Sequence, residues 1–89
     1  MERFNFEQDT HGGFFFLYDD QTKLGEVTFR KRGEDEIVIN HTYVKPEFEG
    51  RGFGKKLVDK VLEHAQSEGL KVSATCWFAE KVMQSKPNA

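Results

Sequence analysis

Hydrophobic and polar positions follow a strand-like pattern through the first half of the chain and a helical period in the second. Residues 1–12 are polar apart from two phenylalanines and have room for a short first strand around Phe4–Phe6. The run Gly13-Phe14-Phe15-Phe16-Leu17-Tyr18 is apolar and aromatic, as a strand is. Asp19-Asp20-Gln21-Thr22 supplies a turn. A strand from Leu24 to Arg30 follows, with Val27 and Phe29 on one face and Thr28 and Arg30 on the other. After the polar turn Lys31–Asp35, the β-branched segment Glu36–Val44 predicts a third strand of this meander. Unbroken alternation there puts Ile37, Ile39, His41 and Tyr43 on one face and Val38, Asn40, Thr42 and Val44 on the other. Pro46 ends the strand, because it has no donor for the ladder. Turns this short favour antiparallel neighbours.

From Phe53 the period becomes 3.6 residues. Phe53, Leu57, Val58, Val61, Leu62 and Ala65 form one stripe, while Lys56, Asp59, Lys60, Glu63 and Gln66 face away. Gly69 is a natural C-cap. The predicted helix is about 16 residues and roughly 24 Å long. Leu70–Cys76 alternates again as a short strand. A strand–helix–strand crossover makes it parallel to Glu36–Val44. Trp77–Ser85 fits a short second helix with Phe78 and Val82 inward, and Lys86–Ala89 reads as a frayed end. The pattern predicts an α+β fold: an antiparallel meander plus one parallel strand, a long helix and a short C-terminal helix.

The candidate chemistry lies where the period changes, in Glu49-Gly50-Arg51-Gly52-Phe53-Gly54-Lys55-Lys56. Glycines there permit a tight turn and a close approach to the main chain. A helix start presents unpaired N–H groups and the positive end of a dipole, which together attract an anion such as phosphate. Two nucleotide motifs fail on spacing. The P-loop needs Gly at position 49 and Ser or Thr at 56, where the chain has Glu49 and Lys56. The dinucleotide pattern starting at Gly50 needs Gly at position 55, where the chain has Lys55.

Composition narrows the picture further. At 89 residues the chain is expected to be one small domain, 1–89. Nine phenylalanines supply a compact aromatic core. A net charge of −2 argues against a nucleic-acid partner, including a small RNA-associated domain built on Arg51, Lys55 and Lys56. The sequence has no apolar run long enough to span a membrane and no apolar signal core at its start. The single cysteine, Cys76, has no intrachain disulfide partner, so a reducing cytoplasm is the expected location. His11 and His64 lack metal-ligand spacing, and no metal is expected.

The order of meander, glycine turn, helix and parallel strand resembles the GNAT-family N-acetyltransferases, whose signature Q/R-x-x-G-x-G/A joins a strand to a long helix. The likeness is greatest to the very small single-domain members. It rests on three blocks: His41-Thr42-Tyr43-Val44, Glu49–Gly54 and Cys76-Trp77-Phe78. The chain departs from the signature at Glu49, where the family has Gln or Arg. Trp77 takes a place often held by Pro or another small residue. The resemblance implies acetyl-coenzyme A as cosubstrate, with its diphosphate on the main chain of Gly50, Arg51, Gly52, Phe53, Gly54 and Lys55. Its pantetheine arm would then lie along the strand edge at Tyr43 and Val44. It implies N-acetyl transfer to a primary amine, small or on a protein. The alternative is a coenzyme A-binding module that acts through protein contacts.

Transfer to an amine needs a base for the amine proton and stabilisation of the departing thiolate. His41 suits the base role, since its ordinary pKa lies near neutrality. It also fits a partly buried structural histidine. Cys76, at a strand end before a helix, suits an acetyl-accepting nucleophile. It equally fits a small buried residue. Tyr43 has the same two readings, as a proton donor to the thiolate or as packing.

Overall fold

The computed structural model describes residues 1–85, so the expected frayed end at 86–89 lies outside the described residues. Five strands form one sheet in the order β1-β2-β3-β4-β5. They are β1 (Glu2–Gln8), β2 (Gly12–Asp19), β3 (Thr22–Arg32), β4 (Glu36–Val44) and β5 (Lys71–Ala74). The first four are joined by tight turns and pair antiparallel. Helix α1 (Phe53–Glu68) carries the chain back across the sheet, and β5 therefore pairs parallel to β4. A shorter helix α2 (Trp77–Gln84) follows. The α+β fold, the mixed sheet and both helices match the sequence pattern.

Several boundaries differ: β2 (Gly12–Asp19) and β3 (Thr22–Arg32) extend past the expected 13–18 and 24–30, and α2 stops one residue short of Ser85. β1 runs well beyond Phe4–Phe6, because all seven of its residues find partners on β2. β5 stops at Ala74 instead of Cys76, because the N–H groups of Thr75 and Cys76 both turn back to the Ile39 carbonyl.

One face of the sheet carries the core. Phe15, Leu17, Val27, Phe29, Ile37 and Ile39 meet Leu57, Val58, Val61 and Ala65 of α1, with Ala79 and Val82 of α2 closing the end. Each fully buried Leu, Ile or Val contributes about 1.5–3 kcal/mol relative to an exposed one. Helix α1 ends as its sequence requires, on Gly69 at φ 69°, where the left-handed conformation favours glycine. The opposite face has no helix over it among the described residues. Its aromatic ladder of Phe14, Phe16 and Tyr18 is covered instead by the chain's own cations: Lys23 lies 4.0 Å above the Phe16 ring and Arg3 4.6 Å above Tyr18.

The expected alternation along β4 does not run unbroken. Thr28 pairs with His41, but Phe29 pairs with Ile39, so Asn40 is an extra residue. Such a bulge shifts every later side chain to the other face. Ile37 and Ile39 are buried against α1, whereas His41 and Tyr43 lie exposed on the open face beside Thr28 and Glu26. Thr42 and Val44 take over the helix-covered face, opposite Val27 and Gly25. The placing of all four odd-numbered residues on one face is thus corrected. The bulge is pinned by a hydrogen bond from the Thr28 hydroxyl to the Asn40 side-chain carbonyl at 2.5 Å.

Candidate active site

The site is built around the upper half of β4. Up to Ile39 this strand has a partner on each side, and β5 leaves it after the Ile39–Ala74 pair. The Lys45 N–H donates to Leu24 of β3. Strand alternation therefore turns the N–H groups of Val44 and Thr42 away from β3, into the gap that β5 leaves.

Across that gap lies the start of α2. Cys76 is its N-cap residue, and the thiol donates to the Thr42 hydroxyl at 3.7 Å. Partial burial pushes the Cys76 pKa up. The Ala79 N–H, the Thr42 hydroxyl and the N–H groups of Phe78 and Thr42 outweigh it, so the thiol lies below its ordinary range. Thr42 belongs to one of the sequence blocks, yet its contact with the thiol was not legible there. The contact depends on the Asn40 bulge, which turns Thr42 toward α2.

The glycine turn forms the third side. Gly50 and Gly52 have φ of 81° and 83°, a conformation costly for any residue with a Cβ. Gly52 is the N-cap of α1 and offers no side chain to its helix. The first hydrogen bond back to the turn is from the Lys56 N–H to the Gly52 carbonyl at 3.1 Å. The preceding N–H groups, of Phe53, Gly54 and Lys55, have no acceptor within the helix. At Gly54 the lack of a side chain has a second use. A Cβ there would stand 2.7 Å from the Phe78 ring, so glycine lets α2 pack onto the start of α1.

These three sides enclose a cleft of about 700 Å3. Of the residues expected to bind a cofactor, Val44, Gly50, Gly52, Phe53, Gly54 and Lys55 line it. Arg51 does not; its guanidinium lies 5.8 Å from the Phe48 ring. Tyr43 also lies elsewhere, on the open face. Of the lysines in the turn, Lys55 pairs with Asp59 at 3.0 Å and Lys56 reaches away to Glu2 at 2.8 Å. The walls that the sequence did not point to are Thr42, Phe48, the α2 residues Trp77 and Lys81, and Ser85 just after that helix. Helical spacing held a usable signal for the last three, since they recur every fourth residue beside the inward Phe78–Val82 stripe.

His41 and Cys76 occupy opposite faces of the sheet. The His41 ring is half exposed, with Nε2 3.9 Å from a Glu26 carboxylate oxygen. The other Glu26 oxygen holds the Lys23 ammonium at 2.6 Å. The Tyr43 ring lies nearly parallel to His41, centroids 6.4 Å apart. The β4–β5 pairing ends at Ile39–Ala74, so beyond it the edge of β4 at Asn40–Val44 is open on that side among the described residues. Among the described residues no helix is long and apolar enough to cross a membrane.

Comparison with known proteins agrees with this geometry. The family profile described as GCN5-related N-acetyl-transferase matches residues 14–89. The solution structure of a GCN5-like protein from Staphylococcus aureus is 38% identical, with a TM-score of 0.67, over 90% of this chain and 78% of that one. An acetyltransferase from Bacillus subtilis, crystallised in complex with coenzyme A, has a TM-score of 0.76 over 94% of this chain and 74% of its own. It is 16% identical, so that likeness is one of fold. Protein NATD1 of Xenopus tropicalis is 33% identical over 55 residues, which is 62% of this chain. The chain spans about half the length of the curated relatives it matches, 50% in that case.

Proposed function

The chain belongs to the GCN5-related N-acetyltransferase family, and from that premise we propose that it transfers the acetyl group of acetyl-coenzyme A to a primary amine. The observation that carries this reading is the glycine-turned start of α1, opening into a cleft beside the unpaired half of β4. Free N–H groups in left-handed turns and at a helix start fit a diphosphate. The outward N–H groups of Thr42 and Val44 fit an extended amide arm, which would add to the sheet as a strand does. Residues 1–89 are taken as one minimal transferase domain.

Acetyl-coenzyme A, when bound, supplies an acetyl group on a thioester. The chain's own part is to orient, polarise and move protons. An N–H of Val44 or Thr42 at the gap would polarise the thioester carbonyl. His41, on the open face, would take the proton from an amine approaching from that side. Thr42 and Cys76, on the cleft side, would stabilise the departing thiolate by hydrogen bonding. Direct transfer follows from this division. Proximity and carbonyl polarisation supply most of the rate, and an acetyl-cysteine is not required.

Calorimetry with acetyl-coenzyme A, followed by thiol release in the presence of a panel of amines, tests the reading. The expected result is binding, turnover with at least one amine, and no acetyl adduct on Cys76 when the acceptor is left out. An acetylated Cys76 that passes its label to an amine would replace direct transfer by a covalent route. Binding with no turnover against small amines, peptide amines and polyamines would favour the coenzyme A-binding module. No binding would end the proposal.

A further inference from the structure

Trp77 is the most exposed large aromatic side chain in the described structure, with 72% of its surface in water. It is also a wall of the 700 Å3 cleft, across from the glycine turn. Lys81, one turn along α2, lines the same cleft, and its ammonium lies 5.1 Å above the indole ring. The cleft's other lysine, Lys55, is held by Asp59, whereas Lys81 pairs with no carboxylate among the described residues. An indole left in water and an uncompensated cation on one wall fit a ligand that is uncharged at one end and anionic at the other.

We propose that Trp77 and Lys81 form the second wall of the cofactor site. The indole covers the uncharged pantetheine arm, and Lys81 is the side chain that meets the diphosphate. This rests on the coenzyme A reading given above. The order along the helix fits the order along the ligand. Trp77 directly follows Cys76, whose thiol meets Thr42 at the gap between β4 and β5. Lys81 stands four residues further on, about 6 Å along the axis. The side-chain contribution to phosphate binding thus moves from the glycine turn to α2. Arg51 is turned onto Phe48 and Lys56 is tied to Glu2, so neither takes part.

Trp77 is the single tryptophan of the chain, so its emission reports this wall directly. The unmodified protein is titrated with coenzyme A and with adenosine 3′-phosphate 5′-diphosphate, which lacks the pantetheine arm. Binding of both is measured independently by calorimetry. Coenzyme A should change the emission, saturating with the calorimetric isotherm, while the nucleotide should bind and leave the emission unchanged. Trp77→Ala should weaken coenzyme A on the order of tenfold, as loss of a covering aromatic does. Lys81→Ala should weaken both ligands about fivefold at low salt and less at high salt. Arg51→Ala and Lys56→Ala should change neither by more than about twofold.

If calorimetry shows coenzyme A bound while the emission is unchanged and Trp77→Ala binds as tightly as the parent, the second wall is wrong and the cofactor reading stands. If the nucleotide alone changes the emission as coenzyme A does, the indole meets the nucleotide end and the proposed order is overturned. If calorimetry detects no coenzyme A binding at all, the cofactor reading itself falls and takes this inference with it.

Discussion

The two halves of β4 are one strand with two jobs. From Glu36 to Ile39 it is paired on both sides, and its inward residues Ile37 and Ile39 are 1% and 0% exposed. From Asn40 to Val44 it is paired on one side, bulged at its start, and lined by half-exposed polar and aromatic side chains. The lower half sets stability. The upper half gives up a strand partner and exposes an unpaired edge, with His41 on one face and the Thr42–Cys76 hydroxyl–thiol pair on the other. The candidate site lies where the sheet stops satisfying its own hydrogen bonds.

The contrast predicts opposite results for substitutions a few residues apart. Ile39→Ala removes a fully buried side chain and should cost about 2–5 kcal/mol of unfolding free energy, read by urea denaturation. Neither His41→Ala nor Thr42→Val should approach that loss. A His41→Ala protein that unfolded as readily as Ile39→Ala would erase the division between the halves. In rate, the order reverses. His41→Ala should leave acetyl-coenzyme A binding intact and slow amine acetylation by ~10²–10⁴-fold, as loss of a general base does. Equal turnover by parent and variant would show that the open face does not supply the base.

Gly52→Val probes the edge of the upper half, where the strand's exit becomes the proposed anion cradle. A Cβ at Gly52 would meet nothing within 4 Å, so crowding is not the issue. The cost comes from φ of 83°, which a β-branched residue adopts only at about 1–2 kcal/mol or more. The variant should fold, with the turn displaced, and bind acetyl-coenzyme A at least about tenfold more weakly by calorimetry. Unchanged affinity would show that the cradle does not depend on the left-handed turn.

The sequence was informative about elements and about the buried faces of β3 and α1, and wrong about the faces of β4 beyond Ile39. The 3.6 period placed α1 at Phe53–Glu68, and Gly69 marked its end, because helix periodicity and capping are local properties. The antiparallel meander and the parallel last strand followed from turn lengths and the crossover. The Asn40 bulge is different. It depends on how β3 and β4 pair across the sheet, with the Thr28 hydroxyl holding Asn40, and no local pattern in Ile-Asn-His-Thr reports it. One inserted residue was enough to move His41 and Tyr43 to the open face and to bring Thr42 to Cys76. The glycine turn and the helix start after it were legible from the glycines and the change of period. The charge pattern did not show where its cations go: Lys55 pairs with Asp59, Lys56 with Glu2, and Arg51 lies against the Phe48 ring.

The smallest expected effect concerns Thr42 and Cys76, and it asks whether the upper half of β4 tunes the thiol at all. Burial alone would raise the Cys76 pKa, but the Ala79 and Phe78 N–H groups and the Thr42 hydroxyl favour the thiolate and bring it down. A lowered pKa means that thiolate appears at lower pH than in an ordinary cysteine. Alkylation by iodoacetamide, followed against pH by intact mass, should therefore inflect below the value for a free thiol. Thr42→Val keeps the strand's shape and β-propensity but removes the hydroxyl. The amide contacts remain, so the inflection should move up in pH without reaching that of a purely buried thiol. If Thr42→Val leaves the inflection in place, the helix amides act alone and the Thr42 contact is incidental. If the parent already inflects above an ordinary thiol, burial prevails over all of these donors. Cys76 is then a packing residue, and only the carbonyl-polarising amides of β4 would remain on the cleft side of the gap.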